Sequence, residues 1–124
     1  MVSAAEFIRG TAADPWRWGV NDCALWSASY VAAATGRDPA AALRGTYGSA
    51  FACRQVLLRS GGLLALSRAL MAGHAAGGAG DGVCVARVAG RQLAGIMSDD
   101  RLFLKSDGGV VSPSEFEILE QWKI

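Results

Sequence analysis

The sequence predicts an α+β domain with N-terminal helices packed on a C-terminal antiparallel sheet. Three observations predict it. Helix caps and helical spacing dominate residues 1–71. After a glycine-rich loop at 72–80 the apolar residues change to short alternating runs separated by turn residues. The 124 residues contain no repeat and no linker, so one domain spans 1–124. Helices first and strands after is the α+β order.

Ser3 with Glu6 three residues on is a capping box, and it predicts a short helix over 3–9. Residues 11–21 are loop, since Pro15 bars Asp14 from helix and Gly19 permits unusual backbone angles. Asn21 or Asp22 caps a helix from Cys23 to about Thr35, with Leu25, Trp26, Tyr30, Val31 and Ala34 at helical spacing and Gly36 as the stop. Arg37-Asp38-Pro39 turns the chain, and Ala40–Leu43 offers one further helical turn before Arg44-Gly45-Thr46-Tyr47-Gly48. Ser49 caps a helix carrying Phe51, Val56 and Leu57 near one face, and Gly61-Gly62 ends it. Leu63–Met71 is a third helix of the set, followed by the loop AGHAAGGAG at 72–80, flexible by composition. Val83, Val85 and Val88 mark a first strand, Gly90 a turn, and 92–97 and 102–105 two more strands joined by Asp99-Asp100. Asp107-Gly108-Gly109 turns into Val110-Val111, Ser112-Pro113-Ser114-Glu115 opens a short helical turn, and 121–124 closes as a strand.

Composition excludes several function classes. Hydrophobic residues make up 52% and charged residues 19%, which is too apolar for disorder and suits a core with a surface buried against a partner. The net charge of +1 gives no electrostatic footprint for nucleic acid and no polybasic helix for an anionic membrane. Glu6 and Arg9 break residues 1–10 before a signal peptide can form, and no apolar stretch approaches the ~20 residues of a membrane span. Cys23, Cys53 and Cys84 are odd in number and widely spaced, so they predict three reduced thiols made in a cytoplasm rather than disulfides or a zinc site. No cofactor or metal motif appears. The glycine-rich loop lacks the Lys-Ser/Thr of a phosphate cradle, and Asp99-Asp100 has no further ligand for calcium.

The stretch from Pro15 to Cys23, PWRWGVNDC, resembles the signature of the NlpC/P60 papain-like superfamily. There an aromatic-Gly segment leads to Asp-Cys, and the cysteine opens a helix packed on a sheet. Gly80-Asp81-Gly82-Val83 resembles that family's first sheet strand, and Leu93-Ala94-Gly95-Ile96 its His-hydrophobic-Gly-hydrophobic strand. The chain is more similar still to small phage and prophage tail-cluster proteins with successive Trp-Gly-x-x-Asp-Cys, Thr-Gly-x-Asp-Pro, Arg-Gly-x-Tyr, Gly-Gly-Leu and Gly-Asp segments. Here these are Trp18–Cys23, Thr35–Pro39, Arg44–Tyr47, Gly61–Leu63 and Gly80-Asp81.

That resemblance implies a catalytic reading of Cys23, which the chemistry then tests. A thiolate nucleophile needs a depressed pKa, supplied by a helix N-terminus and a nearby imidazolium. The helix start favours the thiolate, whereas Asp22 disfavours it. On the family alignment Leu93 takes the catalytic histidine's place and Lys105 that of the polar residue orienting it. Leucine transfers no proton, and a cation repels an imidazolium, so both positions are vestigial. His74, the one histidine, lies in the loop and is a weaker candidate base, since catalytic geometry tolerates only about 0.5 Å of slack.

Bland roles accompany the sharp ones. Cys23 serves packing; Cys53 and Cys84 are small buried hydrophobes; Trp26 and Tyr30 are core; Trp122 anchors the last strand. Trp16, Trp18, Asp22 and Tyr47 line a cleft or an interface around Cys23, with Trp enriched in such interfaces. Arg44 covers the Cys23 helix, and Asp81 binds backbone N–H groups at the strand's start. The expected function is therefore a phage tail-tip or tail-assembly structural protein built on a catalytically degenerate NlpC/P60-like domain. It would be synthesised in the host cytoplasm and carried in the virion, with other tail proteins as partners and possible contact with peptidoglycan. The alternative is an active cysteine peptidase or amidase acting on peptidoglycan through Cys23.

Overall fold

The computed structural model describes residues 2–77 and 80–124. Four helices precede five strands: Ala4–Thr11 (α1), Cys23–Thr35 (α2), Ala50–Arg59 (α3), Leu63–Leu70 (α4), Gly82–Val88 (β1), Arg91–Ser98 (β2), Arg101–Ser106 (β3), Gly109–Val111 (β4) and Glu117–Lys123 (β5). The architecture is α+β. The strands form one antiparallel sheet in the order β4-β3-β2-β1-β5, so the last strand returns to the free edge of the first.

The caps explain where the helices begin and end. The Ser3 hydroxyl accepts from the Glu6 N–H at the start of α1, and its O–H donates to the Glu6 carboxylate. Asp22 caps α2 by accepting from the Leu25 N–H, and Gly36 closes it with φ of 79°, a left-handed conformation that suits glycine. Ser49 caps α3 in the same way, accepting from Ala52.

Strand register separates the two faces of the sheet, because paired residues point the same way and neighbours alternate. Val83↔Ile96 and Val85↔Ala94 share one face, whereas Cys84↔Gly95 and Ala86↔Leu93 share the other. The first face carries the main core, where Phe7 and Ile8 of α1 and Trp26, Tyr30 and Val31 of α2 meet Val83, Val85, Ile96 and Trp122. Phe7 sits between the Trp26 and Tyr30 rings at centroid distances of 6.0 and 5.6 Å. The second face gathers Cys84, Ala86, Met97, Leu102 and Leu104, with Leu93, Phe116 and Ile118 against them. A Cβ at Gly95 would lie 2.6 Å from Leu102 Cδ1 and 2.9 Å from Leu104 Cδ2, so its missing side chain lets those leucines cross the strand. Gly82 does the same for backbone: a Cβ there would lie 2.1 Å from the Trp122 carbonyl oxygen of β5.

Five local expectations are corrected. Residues 40–43 form hydrogen-bonded turns, not a helical turn, because the chain must bend back toward Gly19. Residues 112–115 contain bends and no helix, since the chain from Glu117 onward is committed to pairing with β1, and the closing strand starts there rather than at 121. Phe51 points outward and is 69% exposed, while Val56 and Leu57 face inward. Cys53 is half-buried, not buried. The 72–80 loop is pinned where it is described: Gly77 N–H donates to the Gln121 carbonyl at 2.6 Å and Lys123 N–H to the Ala75 carbonyl at 3.2 Å. Gly78 and Ala79 of that loop lie outside the described residues.

Candidate functional site

Separate sequence motifs converge at the N-terminus of α2. Gly19 has φ of 77°, and a Cβ there would lie 1.9 Å from the Tyr47 carbonyl oxygen. The Gly45 N–H donates to the Gly19 carbonyl at 2.8 Å. The Trp-Gly and Arg-Gly-x-Tyr segments are thus two sides of one backbone contact that only glycine permits. Arg44 fastens the arrangement. It pairs with Asp38 at 2.5 Å and donates to Ser29 Oγ at 3.0 Å and the Leu25 carbonyl at 3.3 Å. That ion pair holds the Asp38 carboxyl below its ordinary range against the opposing effect of burial.

Asp22 is the hub and is 2% exposed. One carboxylate oxygen accepts from Leu25 N–H at 3.0 Å, and the other from Gly19 N–H at 3.1 Å and the Tyr47 hydroxyl at 2.5 Å. Three donors make a buried carboxylate tolerable. Burial and this same hydrogen bond push the Tyr47 hydroxyl well above the ordinary tyrosine range, because ionising it would set two anions against each other.

Cys23 is next in sequence and lines a cavity of about 250 Å³ shared by α2, α3, α4 and the start of β2. It is half-buried. Desolvation pushes the thiol up to about 11, with the Asp22 carboxylate adding to the rise; backbone hydrogen bonds from Ala94 and Ala24 act the other way without cancelling it. The dipole of α2 is therefore outweighed, and Cys23 is a protonated thiol at neutral pH. Cys53 of α3 lines the same cavity, and burial and the Asp22 carboxylate raise its pKa against the lowering effect of the Tyr47 hydroxyl.

The other expected site residues divide. Trp16 and Trp18 line the cavity and pack edge-to-face at 5.1 Å, and Trp18 also packs on the Leu25–Ala28–Ala40–Tyr47 cluster. They belong both to the cleft and to the fastening of the loop. Leu93 lines the cavity, but by register its side chain lies on the sheet face away from α2; the neighbouring backbone, at Ala94, meets Cys23. Lys105 is 3% exposed, donates from Nζ to the Asp14 carbonyl and does not line the cavity. His74 sits in the turn after α4, its N–H donating to the Met71 carbonyl at 2.9 Å, and it is not among the residues lining the cavity. Cys84 is buried on the far face, its thiol raised to about 12 by desolvation. Asp81 accepts from the Asp99 N–H at 3.2 Å, the backbone role expected of it.

Sequence reasoning missed Cys53 and Arg91 as cavity residues. The spacing Cys53, Val56, Leu57 is a helical i, i+3, i+4 stripe that marks the inner face of α3; admitting Phe51 to that face hid it. No sequence signal distinguished Arg91 from any other residue beside a hairpin turn.

A family model described as a domain of unknown function, DUF6950, matches residues 2–124. The chain belongs to the DUF6950 family. The match runs through all nine elements, so the Asp22–Tyr47–Cys23 cluster lies wholly inside the DUF6950 domain. No curated protein and no solved structure matches this chain. No helix of the DUF6950 domain is long and apolar enough to cross a membrane, among the described residues.

Proposed function

We propose that this chain is a structural protein of a phage tail tip or of its assembly pathway, built on a catalytically degenerate NlpC/P60-like, papain-like domain. One observation carries the reading. Cys23 opens a helix beside an antiparallel sheet, where such a nucleophile belongs, yet its thiol is pushed up to about 11 and no imidazole lines its cavity among the described residues. General acid–base help is worth about 10²–10⁴ in rate, and a protonated thiol without it is a poor hydrolase. The Asp22–Tyr47 pair stabilises a loop rather than a reacting group, since its hydrogen bonds all close on the protein itself.

A second feature supports an interaction role. Phe51 and Leu58 lie seven residues apart on the outer face of α3 and are 69% and 73% exposed. With the exposed Arg54 and Gln55 between them, they are two separate apolar contact points on a polar face, which a partner surface could cover. Neighbouring tail proteins are the partners this reading assigns, with particle assembly rather than secretion carrying the chain to the cell envelope.

Quantitative mass spectrometry of purified virions tests the proposal. The chain should be present at a fixed integer copy number per particle, and particles carrying Cys23→Ala should assemble and infect like the parent. Absence from particles would overturn the tail-tip role, and Cys23-dependent release of peptide fragments from peptidoglycan would instead establish the hydrolase.

A further inference from the structure

α3 covers the Cys23 cavity and is fastened more weakly than the helices beside it. α1 buries Ala4, Phe7 and Ile8, and α2 buries six residues including Trp26, Tyr30 and Val31, whereas α3 buries none. Its inner stripe is only half-buried: Ala52, Cys53 and Val56 lean on the Leu25–Ala28–Ala40–Tyr47 cluster. Val56 and Leu57 also line the cavity of about 250 Å³, so they lack packed atoms on part of their inner side. The polar residues of α3, Arg54, Gln55 and Arg59, are exposed, and the ion pairs among the described residues lie elsewhere.

The neighbours are tied down. α2 is anchored through Asp22 to Tyr47, through Trp26 Nε1 to the Thr11 hydroxyl at 2.8 Å, and through Ser29 to Arg44. α4 packs Leu63 and Leu64 against the main core, runs into the buried Met71 and carries the Arg68–Glu120 ion pair to β5. Glycines stand at both ends of α3. Gly48 precedes the Ser49 cap, and Gly61 and Gly62, with φ of 86° and 102°, separate α3 from α4. Glycine adopts backbone angles closed to other residues, so both ends can absorb a rotation that leaves α2 and α4 in place. A segment with few buried apolar contacts opens well below the free energy of global unfolding. A lone ten-residue helix is marginal in water, so leaving the surface also loosens it.

We infer that residues 49–60 form a lid over the Cys23 cavity, opening as one unit between Gly48 and Gly61-Gly62 while α2, α4 and the sheet stay folded. Closed, the lid limits access to Cys23 to molecules that fit the cavity; open, it bares Cys23 and Leu25 to larger ones. This goes beyond the assembly role and does not rest on it, since it needs neither a partner nor a reactive thiol.

Hydrogen exchange read by mass spectrometry, together with thiol labelling, tests the lid on the intact chain. Amides of α3 should exchange at least about 100-fold faster than those of α2 and β1, at a rate that hardly changes with urea below the unfolding transition. Labelling uses a Cys53→Ser parent, so that a label on the lid itself does not prop it open, and a maleimide on a polyethylene glycol chain far too large for the closed cavity. Cys84, on the opposite face of the sheet, reports global unfolding. Adding Val56→Ser, which weakens the inner stripe, should raise the Cys23 rate at least about fivefold and leave the Cys84 rate and β1 exchange at the parent values. Exchange of α3 at the pace of α2 and β1, rising with urea as theirs does, would overturn the lid. So would a Cys23 rate that Val56→Ser leaves unchanged, or one that moves only in step with Cys84.

Discussion

At the residue scale, one sulfur and one glycine matter most. Because burial holds the Cys23 thiol at about 11 against an ordinary 9.0, its proton stays on in the folded protein where the unfolded chain releases it. Below pH about 9 both states are protonated and Cys23 contributes no pH dependence; between about 9 and 11 the unfolded state binds fewer protons, so stability falls as pH rises. By pH 11 the loss traceable to this one group is about 2 kcal/mol. Urea denaturation from pH 7 to 11 should show the wild type losing stability more steeply than Cys23→Ala by that amount; parallel curves would contradict the buried thiol. Gly19→Ala supplies the second residue-scale prediction. Its Cβ would meet the Tyr47 carbonyl at 1.9 Å in a left-handed conformation, so the loop must shift and the Asp22–Tyr47 bond with it. The expected destabilisation is about 3 kcal/mol or more. Gly45→Ala, with φ of 74° but open space, should lose only about 1 kcal/mol in the same denaturation experiment.

At the scale of elements, the caps were legible and the returns were not. Ser3, Asp22, Ser49, Gly36 and Gly61-Gly62 each carry a local mechanism, and the helices start and stop at them within a residue or two. Ser112-Pro113-Ser114-Glu115 carries the same local grammar, and Phe116, Leu119 and Trp122 after it even recur at helical i, i+3 spacing. Ile118 and Trp122 pair with β1, and that long-range pairing overrides the cap. The hairpin joining β2 to β3 is a weak point of the sheet. Asp99 and Asp100 both adopt positive φ, 53° and 60°, the pattern of a two-residue turn that favours Asn-Gly. Replacing the pair by Asn-Gly should stabilise the fold by about 0.5–1 kcal/mol, read as a raised midpoint in thermal unfolding; an unchanged or lowered midpoint would show that the aspartates serve the turn in some other way. On α3, the substitutions Phe51→Ser and Leu58→Ser remove exposed surface only. They should change the stability of the isolated chain by less than about 0.5 kcal/mol while lowering its incorporation into particles, which separates an interface from a core.

At the scale of the whole molecule, the α+β order was readable because the hydrophobic period switches once, at the loop before β1. The site was readable in part. The Asp22-Cys23 pair and the aromatic loop before it announce a cluster, and Tyr47 joins it as a cleft residue. That Tyr47 meets Asp22 through a glycine-to-backbone contact depends on two loops 25 residues apart in sequence, which no local pattern encodes. Nor does spacing reveal which face of β2 each residue takes. A shift of one position decides that Leu93 turns from α2 and that the backbone at Ala94 meets Cys23. The degenerate-domain reading depends on that environment: a sulfur at a helix tip, crowded by aliphatic side chains, beside a carboxylate and with no imidazole lining its cavity among the described residues.

The rate of Cys23 alkylation by iodoacetamide as a function of pH, tracked site by site with mass spectrometry, tests this most directly. The account predicts a rate that is slow at pH 7 and climbs without a plateau through pH 10, the course of a thiol with a pKa of about 11. A plateau reached at or below about pH 7 would mean an activated thiolate, and the chain would then have to be treated as a cysteine hydrolase.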